Sequence, residues 1–154
     1  MKIFNILILI SIIPLVGVML LILIPGRYNS YCFNAALFIS SLTFILSLIM
    51  WLIFDSGHNS FQFLCTIDWL PAFNFYYTVG VDGISLFFLI LTTFLIMVCV
   101  LISWGSINYR LKEYLINFLL LEFLLIQVFS VLDLLLFYVF FESILMPMFL
   151  IIGI

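Results

Sequence analysis

Two glutamates, Glu122 and Glu142, stand inside apolar runs long enough to cross a lipid bilayer. The chemistry open to a carboxyl in that position is the uptake and release of a proton. A charged side chain at bilayer depth costs about 2.5 to 3.5 kcal/mol by insertion scales, so such residues usually face a protein interior, a wet cavity or a proton path. Glu142 lies near the middle of the otherwise uncharged run from Leu134 to Ile154. Capping is not open to either glutamate in mid-helix, and neither has an intramembrane Lys or Arg to pair with. A carboxyl buried without a counter-charge favours its neutral form, which is what a proton relay needs. Pro147 removes one backbone hydrogen bond and crowds the carbonyl one turn back, leaving polar backbone close to Glu142. Glu122 admits a second reading, as a neutral partner in a helix-to-helix hydrogen bond.

The elements that must hold these two residues follow from composition. Of 154 residues 68% are hydrophobic and 7% charged, which predicts an all-α integral membrane protein with room for about five to six spans of roughly 20 residues. The net charge of −3 comes from scattered groups, and no basic patch suggests a nucleic-acid partner. Helices are expected over residues 3–24, 33–54, 83–103, 113–131 and 134–154, in one membrane domain. Pro25-Gly26-Arg27 ends the first and Asp55-Ser56-Gly57-His58 ends the second. A cleaved signal peptide fits the first run poorly, because the run after Lys2 is too long for an h-region and no small-residue cleavage site follows it. The residues from Glu113 onward would make a single helix about 63 Å long, twice the hydrocarbon thickness. They must break, and Ser130 to Asp133 is the place. Residues 55–82 mix aromatic and polar types around Pro71 (Phe61, Gln62, Trp69, Phe73, Phe75, Tyr76, Tyr77) and predict a short interfacial hairpin.

The remaining polar residues have plainer roles. Asp82 and Asp133 each precede an apolar run and are expected to cap the following helix. Cys32, Cys65 and Cys99 lack ligand spacing and read as small buried hydrophobes. His58 reads as a solvated loop residue, so no metal site is expected. Arg27, Arg110 and Lys112 fall in the first and third connections, which places those connections on the negative side and the aromatic hairpin on the positive side.

The strings YTVGVDGISLFFLILTTFLI (77–96) and VLDLLLFYVFFESILMPMFLIIG (131–153) resemble the N-terminal part of mitochondrial NADH dehydrogenase subunit 4, an antiporter-like membrane subunit of respiratory complex I. The resemblance implies proton translocation driven by NADH oxidation by ubiquinone, in the mitochondrial inner membrane. NADH, FMN, iron–sulfur clusters and ubiquinone are then expected on other subunits, with no cofactor in this chain. In that family a glutamate on the fifth helix pairs with a lysine on a later, broken helix. Glu142 is the matching residue, and Glu122 matches no family signature.

That lysine is absent here, and the family's subunit has about fourteen helices against the five expected. The likeness therefore implies a split subunit, with a separate chain carrying the remaining helices and other membrane-arm subunits as neighbours. Two other readings remain open at the level of sequence: a non-conducting structural or accessory membrane subunit, and a stand-alone cation/proton antiporter.

Overall fold

The computed structural model describes residues 5–57 and 59–153. Lys2, His58 and Ile154, and with them the expected helix start at Ile3, lie outside the described residues. Among the described residues five helices are long and apolar enough to cross a membrane. They are α1 (Ile6–Leu23), α2 (Asn29–Ile53), α3 (Gly83–Ser106), α4 (Leu111–Ser130) and α5 (Leu134–Gly153), with strands β1 (Gln62–Leu70) and β2 (Phe75–Val81) between α2 and α3.

Local chemistry sets the boundaries. Asn5 caps α1 by accepting from Leu7 N at 3.1 Å, and its amide donates to Phe63 O at 2.7 Å, which ties the start of α1 to β1. α1 continues through Pro14 and α5 through Pro147. α2 starts at Asn29, four residues before the expected Phe33. Asn29 and Ser30 are polar residues in a first turn, where unpaired N–H groups need a polar setting. Asp82 caps α3 by accepting from Ser85 N at 2.8 Å, and Asp133 accepts from Leu135 N at 3.0 Å at the start of α5. Those Ser85 N–H and side-chain bonds hold the Asp82 carboxyl below the usual carboxylate range. At the far end of α3, Trp104 and Gly105 leave helical geometry, and the φ of +84° at Gly105 is one that glycine adopts freely.

The hairpin is antiparallel, with Ile67 opposite Tyr77 and Cys65 opposite Val79, and register shifts flank it on both sides. Pro71–Phe73 form a 3-10 turn, closed by Asn74 in the left-handed region at φ 57°. The α4–α5 link joins this small sheet: Val131 bridges Val79, and Leu132 N donates to Thr78 O at 2.9 Å. A side chain at Gly80 would meet Leu64 at 2.8 Å and Leu132 at 3.2 Å, so glycine lets the three segments approach.

These contacts place the start of α1, the hairpin and the α4–α5 link at one end of the bundle. At the other end, the Lys112 ammonium donates to Ile22 O at 3.0 Å and Ile24 O at 2.7 Å, which are carbonyls at the end of α1. The first and third connections therefore share that end, with Arg27, Arg110 and Lys112, while Asp55, Asp68, Asp82 and Asp133 gather at the hairpin end. Each end has its own apolar core. One contains Leu21, Ile39, Val100, Leu115 and Leu119, and the hairpin core contains Leu7, Ile10, Met50, Val81, Leu89 and Ile126. Gly17 brings α1 close to α2 and α4, since a Cβ there would lie 2.8 Å from Ile39 and 3.1 Å from Leu119.

Candidate functional site

Between the two apolar cores the buried side chains turn polar. Ser11 on α1, Ser40, Thr43 and Ser47 on α2, Thr92 and Thr93 on α3 and Glu122 on α4 are all buried. In apolar helices a hydroxyl satisfies itself by bonding a carbonyl of its own preceding turn. Ser11 does this to Leu7 O at 2.9 Å, and Thr93 to Ile90 O at 2.9 Å. Two further contacts of such hydroxyls cross between helices. Thr43 Oγ1 lies 2.8 Å from Glu122 Oε1, joining α2 to α4, and Ser47 Oγ lies 3.0 Å from Thr93 Oγ1, joining α2 to α3. Nearer the hairpin, the half-buried Tyr77 hydroxyl donates to the Gln127 side-chain oxygen, joining β2 to α4. Burial raises the Tyr77 phenol above its ordinary range, so it keeps its proton at neutral pH.

The two sequence-predicted glutamates sit in opposite settings. Glu122 has no exposed surface. One of its oxygens faces Thr43, and Oε2 has no partner among the described residues. Glu142 is exposed. It shares a face of α5 with Tyr138, Leu145, Met146 and Phe149, all exposed in this chain, as the spacing of three and four residues requires. Leu136, Ile144 and Pro147 are the buried residues of α5, which is the least covered of the five helices. The two carboxyls therefore do not form one site within this chain: Glu122 is sealed into the bundle, and Glu142 is presented outward.

Sequence reasoning identified both glutamates but not their polar surroundings. Ser40, Thr43 and Ser47 recur at three- and four-residue spacing, a stripe visible in the sequence, whereas Gln127 and Tyr77 carried no signal of their own. Among the described residues no group of three or more His, Cys, Asp or Glu is placed to hold a metal ion, and the three cysteines are free. A cleft of about 470 Å³ opens between α4 and α5 at the Arg110 end, and neither glutamate lines it.

Five spanning helices, a hairpin at one end and carboxyls within the spans define a multi-pass helical membrane protein with a polar interior layer. No protein-family profile matches the chain. Individual proteins do. It is 62% identical, over all 154 of its residues, to NADH-ubiquinone oxidoreductase chain 4 of Chondrus crispus. It is 50% identical over 141 residues to the protein of that name from Arabidopsis thaliana, and 39% identical over 148 residues to NADH-quinone oxidoreductase subunit M of Rickettsia typhi; each of these two matches covers 92% of the chain. A chain in the structure of respiratory complex I from Thermus thermophilus with bound NADH superposes on 92% of it with a TM-score of 0.73 at 28% identity. The chain is thus homologous, along its length, to part of NADH-ubiquinone oxidoreductase chain 4. It spans 31%, 28% and 30% of the three relatives and 27% of the solved chain.

Proposed function

We propose that the chain is part of a proton-translocating membrane-arm subunit of NADH:ubiquinone oxidoreductase, with Glu142 as an intramembrane proton relay. The observation that carries this reading is the 62% identity over the whole chain to an NADH-ubiquinone oxidoreductase chain 4. Redox chemistry belongs to other subunits, which hold NADH, FMN, iron–sulfur clusters and ubiquinone. The membrane is the mitochondrial inner membrane, where the positively charged end of the bundle faces the matrix.

In this reading the exposed face of α5 is covered by helices of a separate chain, which supplies the cation opposite Glu142. Support for such a partner comes from the exposure of Glu142 on the least covered helix. A cation about 4 Å from the carboxylate, at an effective dielectric near 20, interacts with it by about 4 kcal/mol. Moving that cation away removes the coupling, so the carboxyl binds a proton in one state and releases it in the other. Proton movement across the membrane then follows the movement of the partner's charge.

The test is Glu142→Gln in the assembled complex, reconstituted in sealed vesicles. Assembly and NADH oxidation with an uncoupler persist, while proton pumping falls. Undiminished pumping in an assembled variant would remove Glu142 from the path. Native-gel separation with mass spectrometry tests the partner, and one uninterrupted full-length subunit in place of two chains would exclude a split.

A further inference from the structure

We infer that Glu122 and Thr43 form a second proton-binding site, closed inside the bundle, in which Glu122 holds the proton at rest and exchanges it by way of Ser47–Thr93 and Gln127–Tyr77 with the hairpin end. The inference deepens the proton-handling reading above and rests on it.

Proton counting at Thr43 carries the first half. Its hydroxyl has one hydrogen and three oxygens within reach: Ser40 O at 2.8 Å, Ile39 O at 3.1 Å and Glu122 Oε1 at 2.8 Å. If Glu122 were ionised, Thr43 would have to give its only hydrogen to Oε1. The negative charge would then have one donor, with Oε2 bare at zero exposure. If Glu122 is neutral, its own O–H donates to Thr43 Oγ1 and Thr43 donates to Ser40 O, so every hydrogen has an acceptor. Only a carbonyl oxygen is then left bare. A buried charge with one hydrogen bond costs far more than an under-used carbonyl oxygen, and no cation of the described residues bonds to Glu122. The neutral arrangement is therefore the resting one. Release of the proton rotates the Thr43 hydroxyl from Ser40 O to Oε1, and uptake reverses it.

The second half follows from which polar contacts cross between elements. From Thr43, Ser47 lies about 6 Å along α2, and from Glu122, Gln127 lies about 7.5 Å along α4, both toward the hairpin end. Ser47–Thr93 and Gln127–Tyr77 each bridge two elements. A single water with two hydrogen bonds of about 2.8 Å reaches across about 5.6 Å, close to the first of these steps, and the longer step from Glu122 to Gln127 takes two waters in a row. Toward the Lys112 end the layer meets Ile39, Phe118, Leu119 and Leu115, all apolar. The buried polar residues on that side, Asn117 and Ser103, bond to carbonyls of their own helices, Glu113 O and Val100 O.

The test is infrared difference spectroscopy of the assembled complex at rest. Glu122→Gln, an isostere of the neutral acid, should assemble and should lose one C=O stretching band of a protonated carboxyl. Thr43→Val should shift that band to higher frequency, and Thr43→Ser should leave it in place. No lost band, or failure of Glu122→Gln to assemble, overturns the neutral resting state. Ser47→Ala combined with Thr93→Ala should slow deuterium exchange of the same band by about tenfold, the factor that about 1.4 kcal/mol of barrier corresponds to. If the pair does not assemble, the two single variants are measured, and unchanged exchange in both overturns the route. The resting spectrum requires no turnover. A missing band therefore leaves the relay role of Glu142 standing, and normal pumping in Glu142→Gln leaves the band unexplained by that role.

Discussion

Thr43→Val isolates the central contact of the polar layer. Valine keeps the branched shape of threonine, so the packing of α2 against α4 is nearly conserved, and the loss is the 2.8 Å contact with Glu122 Oε1. Because Oε2 already has no partner among the described residues, the variant leaves both carboxyl oxygens bare of them at zero exposure. Two magnitudes compete. Hydrogen bonds between membrane helices average about 0.6 kcal/mol and reach about 1.7, since the separated helices also find partners. Leaving a buried polar group unsatisfied costs about 1 to 3 kcal/mol. The second governs here, because no other group of the described residues takes over, and the expected loss is about 1 to 2 kcal/mol. Adding Glu122→Leu removes the stranded carboxyl, so the double variant should recover part of that loss, with a coupling energy of about 1 kcal/mol in the cycle. The measurement is the resistance of the assembled, mildly solubilised complex to graded denaturing detergent, read as retention of the chain on a native gel. A Thr43→Val change within about 0.3 kcal/mol of wild type, with an additive cycle, would refute the contact as a structural and protonic link.

The other expectations are separate from it. Glu142→Gln should leave the assembled amount unchanged and lower the number of protons pumped per NADH oxidised, measured in sealed vesicles. Lys112→Met should strip two α1 carbonyls of their charged donor and destabilise the α1–α4 contact by about 1 to 2 kcal/mol, the low end for a charge-assisted bond near water; faster proteolysis at the first connection would report it. Gly17→Leu should prevent assembly, because even a Cβ meets Ile39 at 2.8 Å and Leu119 at 3.1 Å; normal incorporation on a native gel would contradict the close packing. Asp82 is held below the usual carboxylate range by its bonds to Ser85. Its contribution to α3 is therefore fully present above the unfolded-state value and lost as pH falls through the folded one. Asp82→Asn should flatten that acid-side loss in a pH series of detergent resistance.

Much of the architecture was legible because its signals are local. Asp82 and Asp133 announce helix starts, Pro71 marks the reversal of the hairpin, and the length of the apolar run after Glu113 requires a break. The α4–α5 link at Val131–Asp133 shows what local signals omit: Val131 bridges Val79, a residue far away in the chain. The same limit applies to the site. Thr43 and Glu122 are 79 positions apart, and nothing in either helix's own periodicity says that α2 and α4 present those faces to each other. Nor does the pattern of α5 distinguish an inward Glu142 from an outward one, because α5 is apolar on all sides. Which face is covered depends on the helices available to cover it.

The outward placement of Glu142 has a consequence for biogenesis. Wherever no other helix lies against that face of α5, an ionised Glu142 at bilayer depth costs about 2.5 to 3.5 kcal/mol by the insertion scale for charged groups, roughly a hundredfold in equilibrium terms. The surrounding Leu, Phe and Ile still insert the helix, so the penalty persists as a standing bias rather than an expulsion. It is relieved only when α5 meets a polar or cationic neighbour within the bilayer. The group proposed to move protons therefore also disfavours any state in which that face of α5 is left to lipid.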